Sequence, residues 1–107
     1  MEESQLLRGI LEGCILGIIS NGETYGYEIL SKLEENEFCG IYEGTLYPVL
    51  TRLEKKGYIS CRKMKSPLGP TRKYFTITET GLEYYNSFLE NYNRITNAAD
   101  KILHKRR

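Results

Sequence analysis

The stretch Tyr42-Glu-Gly-Thr-Leu-Tyr-Pro-Val-Leu-Thr-Arg-Leu-Glu-Lys-Lys-Gly57 decides how the rest of this 107-residue chain is read. Within it Leu46, Val49, Leu50 and Leu53 recur at steps of three and four, so one face of a short helix is apolar. The opposite face carries Gly44, Pro48, Thr51 and Lys55, bordered by Tyr47 and Arg52. The spacing predicts a helix from about Glu43 to Lys56, stopped by Gly57, because glycine readily takes the left-handed conformation that ends helices. Pro48 has no backbone N–H and its ring crowds the carbonyl of Gly44, so it marks either a bend or the true start of the helix.

Downstream, Tyr58 to Lys65 reads as a strand, Ser66 to Thr71 as a proline-framed turn, and Lys73 to Ile77 as a returning strand. Between Ser60 and Thr78 stand five bases, Arg62, Lys63, Lys65, Arg72 and Lys73, and no acid. A short helix with one polar face, followed at once by a basic hairpin, is the layout of a winged helix-turn-helix. The expected fold class is therefore mainly α with a small β-hairpin (α+β), and the expected activity is DNA reading.

Upstream, Leu6, Leu7, Ile10, Leu11, Cys14, Ile15, Ile18 and Ile19 predict a first helix over residues 5–19 with a wide apolar face. Gly9, Gly13 and Gly17 form a neighbouring stripe, which fits either close approach by another helix backbone or glycine tolerated in a buried segment. Ser20 to Thr24 is a turn, with Thr24 as N-cap of a second helix over residues 25–36 that buries Ile29, Leu30 and Leu33. Gly40, in the connection to the third helix, is available for an unusual backbone angle.

Thr78 or Thr80 caps a last helix that can run to about Lys105, with Leu82, Tyr85, Leu89, Tyr92, Thr96, Ala99 and Leu103 in steps of three and four and Phe88, Ile95 and Ile102 beside them. That stripe is longer than a small body can cover, and its remainder predicts contact with a second copy about a two-fold axis. Residues 1–78 are read as the DNA-binding domain and 79–107 as the dimerisation helix. The expected dimer surface is Leu82, Tyr85, Leu89, Tyr92, Ile95, Ala99 and Ile102, joined by Leu7, Gly9, Ile10 and Gly13 of the first helix.

The net charge of +1 hides a division. Residues 1–43 hold nine acids and two bases, and residues 44–107 hold five acids and thirteen bases. Concentrated positive charge is what phosphate binding requires. Three scattered cysteines and one histidine, His104, fit neither a disulfide framework nor a zinc site, and no metal or cofactor is expected. A phosphate-binding glycine loop and paired catalytic carboxylates are both missing, which argues against an enzyme. Glu12 interrupts the first apolar run well short of a bilayer span, so the expectation is a cytoplasmic protein at the nucleoid of a bacterial or archaeal cell, with no membrane partner.

In order and spacing, Leu7-Arg-Gly9, Tyr25-Gly-Tyr-Glu-Ile29, Glu43-Gly-Thr-Leu-Tyr-Pro48, Arg52-Leu-Glu54, Gly57, Arg72-Lys-Tyr74 and Thr78-Glu-Thr-Gly81 resemble the PadR family of bacterial transcriptional regulators. The resemblance implies a winged-helix dimer that represses transcription, with the third helix in the major groove, the hairpin near the minor groove or backbone, and the last helix making the dimer. A single C-terminal helix resembles the short subfamily, some of whose members bind planar aromatic compounds between subunits. Tyr92, with Phe88 a turn earlier, falls where such an effector would sit; the same residues also read as ordinary dimer core.

Phosphate contacts are then expected from Arg62, Lys63, Lys65, Arg72 and Lys73 with the hydroxyls of Tyr27 and Tyr47. Base edges are expected to meet Thr45, Thr51 and Arg52, with Pro48 and Lys55 on the same face. Glu43 either caps the third helix or accepts a hydrogen bond from cytosine. A two-fold dimer predicts a pseudo-palindromic operator with half-sites about 34 Å apart or a multiple of that. The competing expectation is a winged-helix protein-interaction module that does not touch DNA.

Overall fold

The computed structural model describes residues 1–104. Five helices and three strands follow one another as α1 (Glu3–Leu7), α2 (Leu11–Ile19), β1 (Thr24–Tyr25), α3 (Gly26–Glu35), α4 (Glu43–Lys55), β2 (Ile59–Met64), β3 (Arg72–Ile77) and α5 (Glu79–Leu103). This is a winged helix-turn-helix with a long C-terminal helix, as the sequence predicts.

The apolar face of α4 anchors the core. Leu46, Leu50 and Leu53 are fully buried against Ile15, Leu16 and Ile19 of α2 and Ile29 and Leu33 of α3, while Ile59 and Phe75 close the cluster from the sheet. Each such side chain contributes roughly 1.5–3 kcal/mol by leaving water, so α4 is held by its buried face and its polar face stays free. Pro48 lies inside α4 and does not begin it. The helix ends as predicted: Gly57 takes φ +78, Tyr58 N–H bonds the Leu53 carbonyl at 3.0 Å and Gly57 N–H bonds Glu54 at 3.0 Å. That pair of bonds is a Schellman motif.

The expected first helix is two helices. Arg8 N–H still bonds Ser4, but Ile10 N–H bonds Leu7, three residues back, before the regular ladder resumes from Cys14 to Ile10. The slip occurs at Gly9, the residue least able to hold helical backbone there.

The sheet has a third strand that the alternation signal is too short to show. Its order is β1-β3-β2, with Thr24 opposite Phe75 and Tyr25 opposite Tyr74. Thr24 is thus a buried strand residue rather than a helix cap; its hydroxyl donates to the Glu28 carboxylate, and Tyr25 holds the N-cap position of α3. Glu43 likewise is the first residue of α4, behind Tyr42 at the N-cap, and caps nothing.

Thr78, not Thr80, caps α5: its hydroxyl accepts from Gly81 N–H at 3.0 Å and donates to the Gly57 carbonyl at 2.6 Å. Gly81 is needed at that turn, since a β-carbon would collide with the Tyr58 carbonyl. The expected extension of α5 to Lys105 lies outside the described residues. Phe88 and Tyr85 lie over Gly13 and Gly17 of α2, so the close approach on the glycine stripe is made by aromatic rings of the same chain, not by a helix backbone. Beyond Tyr92, α5 leaves the body, which makes the molecule 63 × 29 × 20 Å.

Candidate nucleic-acid interface

The polar face of α4 is open to solvent. Tyr47, Pro48, Thr51, Arg52 and Lys55 line one shallow surface, and Thr45 is exposed in the first turn. The Thr51 hydroxyl donates to the Tyr47 carbonyl at 3.0 Å, which uses its proton and leaves the oxygen as an acceptor and the methyl group for contact. Tyr47 does two jobs. Its ring end lies over Gly26, in the space a β-carbon there would fill, yet 42% of the residue remains exposed. The Tyr25-Gly-Tyr27 element therefore carries a glycine because the α4 tyrosine packs onto the first turn of α3.

The hairpin stands beside this face. Tyr27 and Tyr47 on one side and Met64, Lys65, Arg72 and Lys73 on the other border an open groove of about 610 Å³. Register fixes which bases share a surface: Lys63 is paired directly with Lys73, and Arg62 with Tyr74. Lys63 and Lys73 continue the side of Phe75 and Ile59, past the point where the core ends. Like charges directly opposite on a strand pair cost stability. None of Lys55, Lys63, Lys65, Arg72 and Lys73 has an ion-pair partner among the described residues. Arg72 instead lies over the Tyr25 ring, 4.4 Å from its centre.

Two predicted contact residues are already engaged. Arg62 makes a two-pronged bond to Glu23, with the second hydrogen bond at 2.8 Å, and sits 5.5 Å from the centre of the Tyr74 ring. The Arg62 hydrogen bond holds the Glu23 carboxyl below its ordinary value and raises Arg62 in turn. Arg52 donates its Nε–H to Glu12 at 3.2 Å. Glu23, Glu12 and Tyr84, whose hydroxyl donates to Glu12 at 2.9 Å, did not stand out in the sequence. Only the third strand makes Glu23 a neighbour of Arg62, and two residues of strand give no periodicity to detect. Tyr42, 71% exposed at the α4 N-cap, carries no sequence signal for contact; like Tyr27, at 72%, it is an exposed tyrosine beside the α3–α4 connection.

The other predicted residues divide between the chain's own interior and its surface. Gly13 is buried beneath Phe88 and offers no surface of its own. Leu82, Leu89, Tyr92, Ile95 and Ile102 are exposed along α5, while Leu7, Ile10, Tyr85 and Ala99 are half-buried and Gly9 is exposed. Phe88, stacked on Tyr92 at 5.9 Å, borders a cavity of about 350 Å³ with Tyr85, Leu89, Phe38 and Ile18. Burial raises the Cys14 and Cys61 thiols above their ordinary value. No group of His, Cys, Asp and Glu among the described residues could hold a metal, and no helix among them is long and apolar enough to cross a membrane.

Comparison with known proteins gives a consistent answer. The family model "Transcriptional regulator PadR-like family" matches residues 15–87. A crystal structure of a PadR-like transcriptional regulator from Bacillus cereus superposes with a TM-score of 0.86 at 42% identity, over 96% of this chain and 100% of that one. The negative transcriptional regulator PadR of Bacillus subtilis is 29% identical over 82 residues, which are 75% of this chain and 45% of that protein. Its crystal structure in complex with operator DNA superposes with a TM-score of 0.69 over the same shares of the two chains.

Proposed function

The chain belongs to the PadR-like family of transcriptional regulators, and from that premise we propose that it is a homodimeric repressor that binds a pseudo-palindromic DNA operator. The observation that carries the reading is the coincidence, on one side of the fold, of the exposed α4 face with a hairpin whose lysines and Arg72 have no acid partner among the described residues. Phosphates satisfy Lys63, Lys65, Arg72 and Lys73 and relieve the Lys63–Lys73 repulsion. The tyrosine hydroxyls of Tyr27, Tyr42 and Tyr47 fix the register. Thr45, Thr51 and Arg52 then meet base edges in the major groove. Arg62, committed to Glu23, braces the hairpin and adds little of its own to phosphate binding. The operator complex formed by the Bacillus subtilis relative supports this reading.

The dimer rests on the part of α5 past the body, where Ile95, Ile102 and Leu103 are 54%, 67% and 74% exposed. An apolar face of that length is covered most simply by the same face of a second copy. We assign residues 1–78 to DNA binding and 79–107 to dimerisation, in the cytoplasm. The cavity beside Phe88 and Tyr92 suits a small aromatic effector, being within the size range of ligand pockets; binding there releases the operator.

Selection of bound duplexes from a random pool tests the reading, followed by gel shifts over a salt series with the enriched and a scrambled duplex. Enrichment of an inverted repeat with half-sites about 34 Å apart is expected. Arg72→Ala is expected to weaken binding to both duplexes and lower the salt slope, whereas Thr51→Ala changes the preference between them. Equal affinity of wild type and Arg72→Ala at low salt rejects the hairpin assignment. Failure to enrich any sequence favours a protein-docking role.

A further inference from the structure

Of the candidate base-reading residues Thr45, Thr51 and Arg52, Arg52 is held by a side chain from another element. Its Nε–H is donated to Oε2 of Glu12, on α2, while its terminal guanidinium nitrogens have no partner among the described residues. The other oxygen of the same carboxylate, Oε1, accepts the Tyr84 hydroxyl from α5 at 2.9 Å. Tyr84 is itself fixed by stacking on Tyr58, with ring centres 4.3 Å apart and planes at 16°. Both oxygens of Glu12 are thus used, and its side chain is only 19% exposed against 50% for Arg52. The carboxylate cannot turn without losing one partner, so it holds the guanidinium by its Nε edge and leaves the terminal fork unused. That fork is the edge with which arginine makes paired hydrogen bonds to guanine.

We propose that Glu12 is a positioning residue for DNA sequence recognition: buttressed by Tyr84, it pre-orients Arg52 for bidentate contact with a guanine. The inference rests on the reading that Arg52 meets a base edge. A carboxylate held against Arg52 also offsets its positive charge toward phosphate, so Glu12 costs affinity for any duplex and gains discrimination among duplexes. A surface strap between α2 and α4 predicts no such opposition.

The test uses the full-length protein, the duplex that wild type enriches from a random pool, and its scrambled counterpart, with thermal unfolding as a check on the fold. Glu12→Gln keeps the size and a partner for Tyr84 but loses the charge that holds Arg52. It is expected to lower the ratio of enriched to scrambled affinity about fivefold or more, while affinity for the scrambled duplex holds or rises. Tyr84→Phe is expected to lower the ratio less, in the same direction. Arg52→Ala is expected to lower it at least as much as Glu12→Gln, and Glu12→Gln added to Arg52→Ala to lower it no further.

A normal ratio in Glu12→Gln, with a reduced one in Arg52→Ala, overturns the positioning role while leaving Arg52 as a reader. Equal loss of both affinities in Glu12→Gln, with a lower Tm, overturns it in favour of a strap. A normal ratio in Arg52→Ala, or no enriched duplex at all, shows instead that the underlying reading of the α4 face is wrong and removes the inference with it.

Discussion

The ring of Phe88 lies over the Cα of Gly13, in the space that a β-carbon at that position would fill. This relationship couples α2 in the body to α5 at its edge. Gly13→Ala forces either the ring or the helix aside, and overpacking of this kind costs about 1–3 kcal/mol. Shrinking the ring gives the methyl group room. Alanine gains up to about 1 kcal/mol of helix propensity over glycine, which offsets part of the overpacking cost. Urea unfolding should therefore show Gly13→Ala mildly destabilised and the double variant Gly13→Ala with Phe88→Leu less destabilised than the sum of its parts. Simple additivity would mean that the ring does not sit against Gly13.

The elements longest in pattern were legible in the sequence. The apolar stripes of α3 and α4 are borne by Ile29, Leu33, Leu46, Leu50 and Leu53, whose burial follows their spacing. Gly57 and Thr78 were legible too, because helix ends demand particular backbone chemistry. What escaped reading depends on tertiary register. Two residues, Thr24 and Tyr25, pair with β3 across α3, α4 and β2, and without that strand the Glu23–Arg62 pair has no sequence signal. The Glu12 site joins residues 40 and 72 positions apart, beyond the reach of any local pattern.

Lys63 and Lys73 face one another across the hairpin, and neither forms an ion pair with an acid among the described residues. Under the proposed function, stability and DNA binding make opposite demands on the pair. Lys73→Gln should raise stability by about 0.2–1 kcal/mol by removing the repulsion. The same variant should lower the slope of log affinity against log salt by about 1, the signature of one lost phosphate contact. Thermal unfolding and a salt-titrated gel shift on one preparation check both. A variant that is less stable, or whose slope is unchanged, contradicts the placement of these lysines.

Glu23 and Arg62 carry the main pH dependence visible in the hairpin. The Arg62 hydrogen bond lowers the Glu23 carboxyl from its ordinary value, so the folded state favours the ionised form more than the unfolded state does. The contribution of the pair is therefore complete above the ordinary glutamate range and is lost as the pH falls through the depressed folded value. Glu23→Gln should have a lower Tm than wild type at neutral pH, and the two should converge in acid well below the ordinary glutamate range. Being exposed, the pair should also weaken with added salt. A Tm gap that is constant with pH would assign the loss to the altered side chain rather than to the charge.

Glu37 is the non-glycine residue with a left-handed backbone among the described residues, at φ +68. It occupies the same place after α3 that Gly57 occupies after α4: Phe38 N–H bonds the Leu33 carbonyl at 2.9 Å and Glu37 N–H bonds Glu34 at 2.9 Å. Without a β-carbon the strain disappears, although glycine also loosens the unfolded chain and offsets part of the gain. Glu37→Gly should therefore stabilise by about 0.5–1 kcal/mol, or roughly 2–6 °C in Tm for a domain of this size. The acid also stands at a helix C-terminus, where negative charge is unfavourable. Glu37→Ala separates the two causes, because it removes the charge and keeps the strained β-carbon. Thermal unfolding should place Glu37→Gly above Glu37→Ala, and equal Tm values for the two would assign the whole gain to charge.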